Sequence, residues 1–250
     1  MKKEKTIGIS MYNLTSDVGW PSFEQVLEDA KIGKKSLILV SGGLDSAYML
    51  WKYAQYTDDI VCHHISMYDS ISQRADTERF SVERQIEYLR NQGKHIKLIT
   101  SEVRSTYEMP LLRDWYTGVI LSLNYAYIEG ISHIVAGDCF IDAFDRNQNY
   151  STLSKDIKEH MVCLGNFVRA YTRNRCDTIT AFEANNLAEM YNEMPDDYKK
   201  LIFSCREPKY INKRIEACGN CHSCMKNRHF GWWNKISKCI YKDEIDGVAK

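Results

Sequence analysis

Ser36-Leu37-Ile38-Leu39-Val40-Ser41-Gly42-Gly43-Leu44-Asp45-Ser46 is the stretch on which the fold turns. Ser36–Val40 is a short apolar run of the kind that forms a strand buried on both faces. It stops abruptly in Ser41-Gly42-Gly43, and a helix-like segment follows to about Tyr56. Adjacent glycines adopt backbone conformations closed to other residues and let a ligand approach the chain closely. The N–H groups of such a loop and of the first helical turn form an anion cradle, reinforced by the helix dipole. Ser41 and Ser46 add hydroxyl donors suited to phosphate oxygens, and Asp45 belongs there when Mg²⁺ is present to be held. Competing motifs fail. A Walker A loop needs Gly-Lys-Ser/Thr, and no lysine follows these glycines. A dinucleotide fingerprint needs a third glycine, which Ala47–Leu50 does not supply. A nucleophile elbow needs glycine where Leu39 stands.

Working outward, Ile60–Met67, His95–Ile99 and His133–Ala136 are further strand candidates. They alternate with helical patterns near Thr77–Asn91 and between Leu111 and Glu129. Strands alternating with helices give βαβ units, hence a Rossmann-like α/β fold with a parallel sheet and helices on both faces. Ligands bind beyond the carboxyl ends of such strands, which places Ser41–Ser46, Tyr68 and Asp138 together. Upstream, Thr6–Met11 reads as β-rich, a turn falls near Gly19-Trp20-Pro21, and Ser22 with Gln25 makes a capping box for a helix. Beyond about Ser151 the pattern is mainly helical, with a basic stretch Arg169–Arg175 and a helix near Thr180–Asn192. The expected organisation is an N-terminal extension over 1–35, a nucleotide-binding domain over 36–200 and a cysteine-rich segment over 201–250.

The 250 residues carry 33 Lys/Arg and 33 Asp/Glu, so no global field steers the chain to nucleic acid or membrane. A hydrophobic share of 44% excludes wholesale disorder. No apolar run approaches membrane-spanning length, and the start lacks the apolar segment of a secretory signal, so a cytoplasmic location is expected. The neutral total hides a cationic tail. Cys205–Lys242 holds nine Lys/Arg against two Glu, a net +7, which suits a solvated face or a phosphate-bearing substrate.

Nine cysteines, without a signal, argue against a disulfide scaffold. Cys205, Cys218, Cys221 and Cys224 stand in the pattern C-x12-C-x2-C-x2-C. Two-residue gaps let thiolates converge on one ion, and four sulfurs in a tetrahedron suit structural Zn²⁺. An iron–sulfur cluster uses similar spacing. Cys62, Cys139, Cys163, Cys176 and Cys239 lack such spacing and read as small buried hydrophobes, with Cys139 a pocket candidate because it follows Gly137-Asp138.

Ser41–Ser46 resembles the pyrophosphate loop of the ATP pyrophosphatase superfamily, whose members split ATP between its α- and β-phosphates. The resemblance implies that Ser41, Gly42, Gly43, Leu44, Asp45 and Ser46 hold the pyrophosphate of ATP and its Mg²⁺, with Asp45 and Ser46 catalytic. Combined with the tail Ala217-Cys218-Gly219-Asn220-Cys221-His222-Ser223-Cys224-Met225-Lys226-Asn227-Arg228, preceded by Ser204-Cys205, the loop resembles 7-cyano-7-deazaguanine synthases of queuosine biosynthesis. Gln73-Arg74 with Glu78, and Ala136-Gly137-Asp138-Cys139, resemble further segments of that family. The resemblance implies a homodimeric ligase that adenylates 7-carboxy-7-deazaguanine and converts it with ammonia to the nitrile. It implies Zn²⁺ at the four cysteines and a substrate pocket near Gln73, Arg74, Asp138 and Cys139. Departures are specific: Trp115–Ile120 replaces a Pro-Gly-Arg-Asn segment, no lysine stands in Ile179–Glu183, and Phe140–Tyr150 replaces the deazapurine-binding stretch. A divergent member could pass the activated deazapurine to a protein or nucleic-acid amine. A tRNA-thiolation enzyme and a degenerate nucleotide-binding module are the other readings.

Overall fold

The structure, a computed structural model, describes residues 21–68, 74–104, 114–137, 162–179, 191–212, 214–229 and 231–241. The expected β-rich segment Thr6–Met11 and the turn at Gly19-Trp20 lie outside them, as does most of the helix expected near Thr180–Asn192. Five parallel strands form the central sheet: β1 (Ser36–Leu39), β2 (Asp59–Tyr68), β3 (His95–Arg104), β4 (His133–Ala136) and β5 (Asp177–Ile179), in the order β3-β2-β1-β4-β5. Helices α1 (Phe23–Lys31), α2 (Leu44–Tyr53), α3 (Arg74–Arg90), α4 (Asp114–Glu129) and α5 (through 162–172) flank it. The Rossmann-like α/β fold read from the sequence is the fold of the chain.

Burial of both sheet faces explains the strand composition. Every residue of β1 and β4 is buried, so these strands are near-continuous apolar runs. Side chains alternate between the faces. Leu37, Leu39, Ile134 and Ala136 pack with Val119 and Leu123 of α4 and Leu164 and Val168 of α5. Ile38, Val40 and Val135 pack on the other face with α1, α2 and α3. Helix α1 is built into that core through Phe23, Val26, Leu27 and Ala30, spaced at three and four residues. Ser22 caps it by accepting from Gln25 N at 3.2 Å. The Gln25 side chain departs from the capping-box expectation: Nε2 donates to Asp29 one turn on, at 3.1 Å. Asp29 in turn accepts from His133 Nε2 at 2.9 Å, fastening α1 to the start of β4.

Strand β5 and the secondary structure of the tail were not expected. Strand β5 is only three residues, Asp177-Thr178-Ile179, and pairs with β4 at His133–Val135. Its sequence is too short and polar to show a run. The basic stretch Arg169–Arg175 is the end of α5, where Arg173 and Asn174 take φ of 55° and 58° and turn the chain into β5. In the tail, β6 (Lys209–Ile211), β7 (Arg214–Glu216) and β8 (Cys239–Tyr241) form a small antiparallel sheet. The short α6 (Asp196–Lys199) precedes it, and α7 (His222–His229) lies between β7 and β8.

Mid-sheet, β2 buries two imidazoles. Ser122 Oγ donates to Gly118 O at 2.7 Å and therefore accepts from His63 Nδ1–H at 2.7 Å, leaving Nε2 to accept from Ser101 at 2.8 Å. Burial, helped by His64 beside it, holds His63 down at about 4. The unfolded chain therefore binds more protons than the native one as pH falls from 6.5 to 4, and stability must fall across that window. Urea midpoints measured from pH 7 to pH 4 should show this loss, and His63→Gln should reduce it, the remainder coming from His64, which burial also holds below its usual range.

Leu37 is fully buried between β1 and α4. Leu37→Ala should lower stability by about 2–5 kcal/mol, against about 0.5 kcal/mol or less for Ile128→Ala on the exposed face of α4. Equal urea midpoints for the two variants would contradict the layer arrangement.

Candidate functional site

The strand order reverses between β1 and β4: the connection from β1 leads toward β2, whereas β4 lies on the other side of β1. Crevices at the carboxyl edge of such a reversal are where open α/β sheets bind ligands. Ser41–Ser46 occupies that edge, between the end of β1 and the first turn of α2. Gly43 is the N-cap of α2 and offers no side-chain cap, so the first-turn amides keep their donors for a ligand. Ser46 is buried and organises the turn from inside. Its hydroxyl accepts from Ser41 N at 3.1 Å, contacts Ser41 Oγ at 3.1 Å and lies 3.2 Å from Gly43 O. Ser41 itself is exposed, and Leu44 is buried in the core beneath.

Three glycines near the loop permit contacts that a side chain would block. Gly42 takes φ +74°, and a Cβ there would lie 2.7 Å from Ser81 Cβ and 2.9 Å from Glu78 O. Gly137, after β4, runs so close to the loop that a Cβ would lie 2.8 Å from Ser46 N. Gly118 does the same for α4, where a Cβ would meet Leu39 Cδ1 at 2.9 Å. That close approach falls within the segment Trp115–Ile120.

The cysteine segment arrives against the same loop. Phe203 N donates to Gly42 O at 3.3 Å and to Ser81 Oγ at 3.2 Å. Ser204 Oγ stands 3.4 Å from the position a Gly43 Cβ would take. Cys205, Cys218, Cys221 and Cys224 then converge, with all four sulfurs within 4.8 Å of one another. Cys205–Cys221 is 3.9 Å and Cys218–Cys224 4.0 Å. Backbone amides point at these sulfurs: Cys218 N to Cys205 at 3.2 Å, Cys221 N to Cys218 at 3.2 Å and Arg206 N to Cys221 at 3.4 Å. Gly219 makes the turn with φ +79°. Crowded thiols compete for one negative charge. Hydrogen bonds from Cys205 and Cys224 hold the Cys221 thiol well below its usual range, and bonding to Cys221 pushes Cys205 up to about 12. A bound cation removes that competition, and the donor set fits a thiophilic metal ion. Phe80 of α3 and Phe203 pack around the cluster with Ile240.

Of the other predicted site residues, Gln73, Asp138 and Cys139 lie outside the described residues. Arg74 opens α3 and its Nε donates to Glu78 at 2.8 Å, one turn from the Glu78 carbonyl that abuts Gly42. Among the cysteines set aside as buried hydrophobes, Cys62 and Cys176 are buried, but Cys163 is exposed and Cys239 half-buried.

Lys226 is the residue that sequence reasoning missed. Its Nζ lies 3.2 Å from Asp45 Oδ2, the lysine side chain being 4% exposed and the aspartate 12%. In the sequence it stands in the cysteine-bearing tail as one of nine basic residues, and nothing in that pattern places it against Asp45.

No family model matches the chain, and no curated protein matches it. Among solved structures it is similar to the U34-tRNA thiolase NcsA from Methanococcus maripaludis with its [4Fe-4S] cluster, with a TM-score of 0.41 and 14% sequence identity. The match covers 68% of this chain and 64% of that one. Among the described residues no helix is long and apolar enough to cross a membrane.

The glycine geometry sets a measurable expectation. Gly42→Ala combines a left-handed backbone with a collision against α3 and should lower stability by about 2–4 kcal/mol. Gly93→Ala, at φ +87° in open space, meets only the backbone strain and should lose about 1 kcal/mol. Thermal midpoints of the two variants compare them directly.

Proposed function

We propose that the chain is an ATP-dependent ligase of the 7-cyano-7-deazaguanine synthase type. In this reading it adenylates the carboxylate of 7-carboxy-7-deazaguanine and ammonia displaces AMP to give the amide; a second ATP adenylates the amide oxygen, which leaves with AMP as the nitrile forms. The observation that carries the reading is the placement of Ser41–Ser46 at the strand-order reversal, with the four-cysteine cluster seated against the same loop. The uncapped first turn of α2 and the Ser41 hydroxyl are the donors for pyrophosphate. Asp45, in that first turn, is the carboxylate available to Mg²⁺, which supplies charge neutralisation when bound. The cationic tail suits a phosphate-bearing substrate.

The sulfur geometry supports Zn²⁺ at the cluster. A tetrahedral ion with Zn–S of about 2.3 Å has S···S edges of about 3.8 Å by simple geometry, close to the 3.9 Å and 4.0 Å pairs here. A four-iron cluster interposes iron and sulfide between its cysteines and requires them farther apart. Four cysteine ligands also leave no open position, whereas a thiolation chemistry needs an exchangeable one. The role that follows for Cys205, Cys218, Cys221 and Cys224 is structural, holding a polar tail that lacks a large core of its own.

Incubation with ATP, Mg²⁺, ammonium and 7-carboxy-7-deazaguanine should release AMP and pyrophosphate and yield the nitrile. Absence of AMP would remove the enzyme reading, and AMP without nitrile would direct attention to another acceptor amine. Asp45→Asn should cut AMP formation by about a hundredfold or more, the range lost when a residue that stabilises transition-state charge is removed. Elemental analysis should find about one zinc per chain in a colourless protein, and Cys221→Ser should lose it together with much of the thermal stability.

A further inference from the structure

We propose that Lys226 is a polyphosphate-binding residue of the Ser41–Ser46 loop, carried there by the cysteine-held helix α7. The proposal rests on the nucleotide reading of that loop and goes beyond it by adding a ligand group from the other end of the chain. Four observations converge. Lys226 is almost fully buried, yet its ammonium reaches the loop and not solvent, at 3.2 Å from Asp45 Oδ2. It lies two residues after Cys224, on a helix whose first turn is closed by Met225 N donating to Cys221 O at 2.9 Å. Its position is therefore set by the cluster. The segment before Cys205 is bonded to the same loop through Phe203 N and Gly42 O, so both flanks of the cluster are anchored there. Ser204 Oγ stands over Gly43 beside them.

The charge arithmetic of the loop explains what such a lysine does. The loop offers amide and hydroxyl donors, but its one formal charge, Asp45, is negative and repels phosphate. Burying an ion pair is a poor way to gain stability, because the desolvation of both ions offsets their attraction. A compact ammonium on a flexible stem is well suited to a phosphate oxygen. In the free protein the Lys226 ammonium faces Asp45 Oδ2 at 3.2 Å. When magnesium pyrophosphate enters, the carboxylate turns to the cation and the ammonium to a phosphate oxygen, so neither buried charge is left unpaired. The exposed lysines of the tail, such as Lys209 and Lys235, have no such placement.

The test uses the full-length, metal-loaded protein. Isothermal titration with magnesium pyrophosphate should give an affinity that Lys226→Gln weakens by about tenfold to a hundredfold, the range for a hydrogen bond to a charged group. Zinc content should stay at the wild-type level, since Lys226 is no metal ligand. A purely structural lysine would lower the thermal midpoint and leave the pyrophosphate affinity unchanged, and that result overturns the proposal. The wild-type protein supplies a second measurement that needs no variant. An ATP acyl phosphate acylates lysines that lie against bound phosphates, and peptide mass spectrometry should find the adduct on Lys226, suppressed by excess ATP. If Lys226→Gln loses its zinc or fails to fold, that labelling decides: an ATP-suppressed adduct on Lys226 supports the proposal, and adducts only on other lysines overturn it. A wild-type protein that binds neither pyrophosphate nor ATP overturns the nucleotide reading of the loop, and this proposal with it. Normal wild-type binding with an unaffected variant overturns this proposal alone.

Discussion

The carbonyl of Gly42 is the point on which the site hangs. It accepts from Ser81 Oγ at 2.9 Å, Gln85 Nε2 at 3.0 Å and Phe203 N at 3.3 Å. One oxygen thus joins the glycine loop, the middle of α3 and the segment that leads into the cysteine cluster. Ser81 ties the same elements again, with Leu201 O 2.7 Å from its hydroxyl and Phe203 N 3.2 Å away. Gly42, Ser81, Gln85 and Phe203 are buried, so each bond lost among them leaves a polar atom without water to replace its partner. The left-handed backbone of Gly42 and its contact with Ser81 are the conditions for that geometry, because a side chain there would push α3 away.

From this constraint the relation of the two halves follows. The parallel sheet supplies a place for the loop, and the switch of strand order leaves that place open at its carboxyl edge. The tail has little apolar material of its own, and its core is the small cluster of Phe80, Phe203, Ile240 and the cysteine sulfurs, of which Phe80 is lent by α3. A metal ion at the four cysteines would hold such a segment together, since the ligands must converge for the ion to bind. The tail in return places Ser204, Phe203 and Lys226 around the loop. Loop and cluster are one mechanical unit, linked through both flanks of the cysteines.

What the sequence disclosed, and what it hid, follow from the same physics. Ser36–Ser46 was legible because a strand buried on both faces must be an apolar run, and because a Gly-Gly turn into a helix is a local event. The cysteine cluster was legible because metal geometry dictates spacing. Strand β5 was hidden, since Asp177-Thr178-Ile179 is a strand only by virtue of β4 lying beside it. Lys226 was hidden for a like reason. Its pairing with Asp45 spans 181 residues of chain, and no local pattern separates a lysine buried against a carboxylate from one in water. Ser22 was read correctly as a helix cap, whereas Gln25 was drawn to Asp29, whose role is set by His133 more than a hundred residues away.

The long reach of these bonds bears on how the protein is made. The glycine loop leaves the ribosome well before the groups that bond to it, since Lys226 follows Asp45 by 181 residues, and domains form as their parts emerge. Until then the Gly42 carbonyl is without the Phe203 donor and Asp45 without the Lys226 ammonium. A nascent chain, or one broken off before Cys205, therefore carries the strand–loop–helix signature and none of the tail's contribution. Only a chain that extends through Lys226 brings Phe203 and Lys226 to the loop.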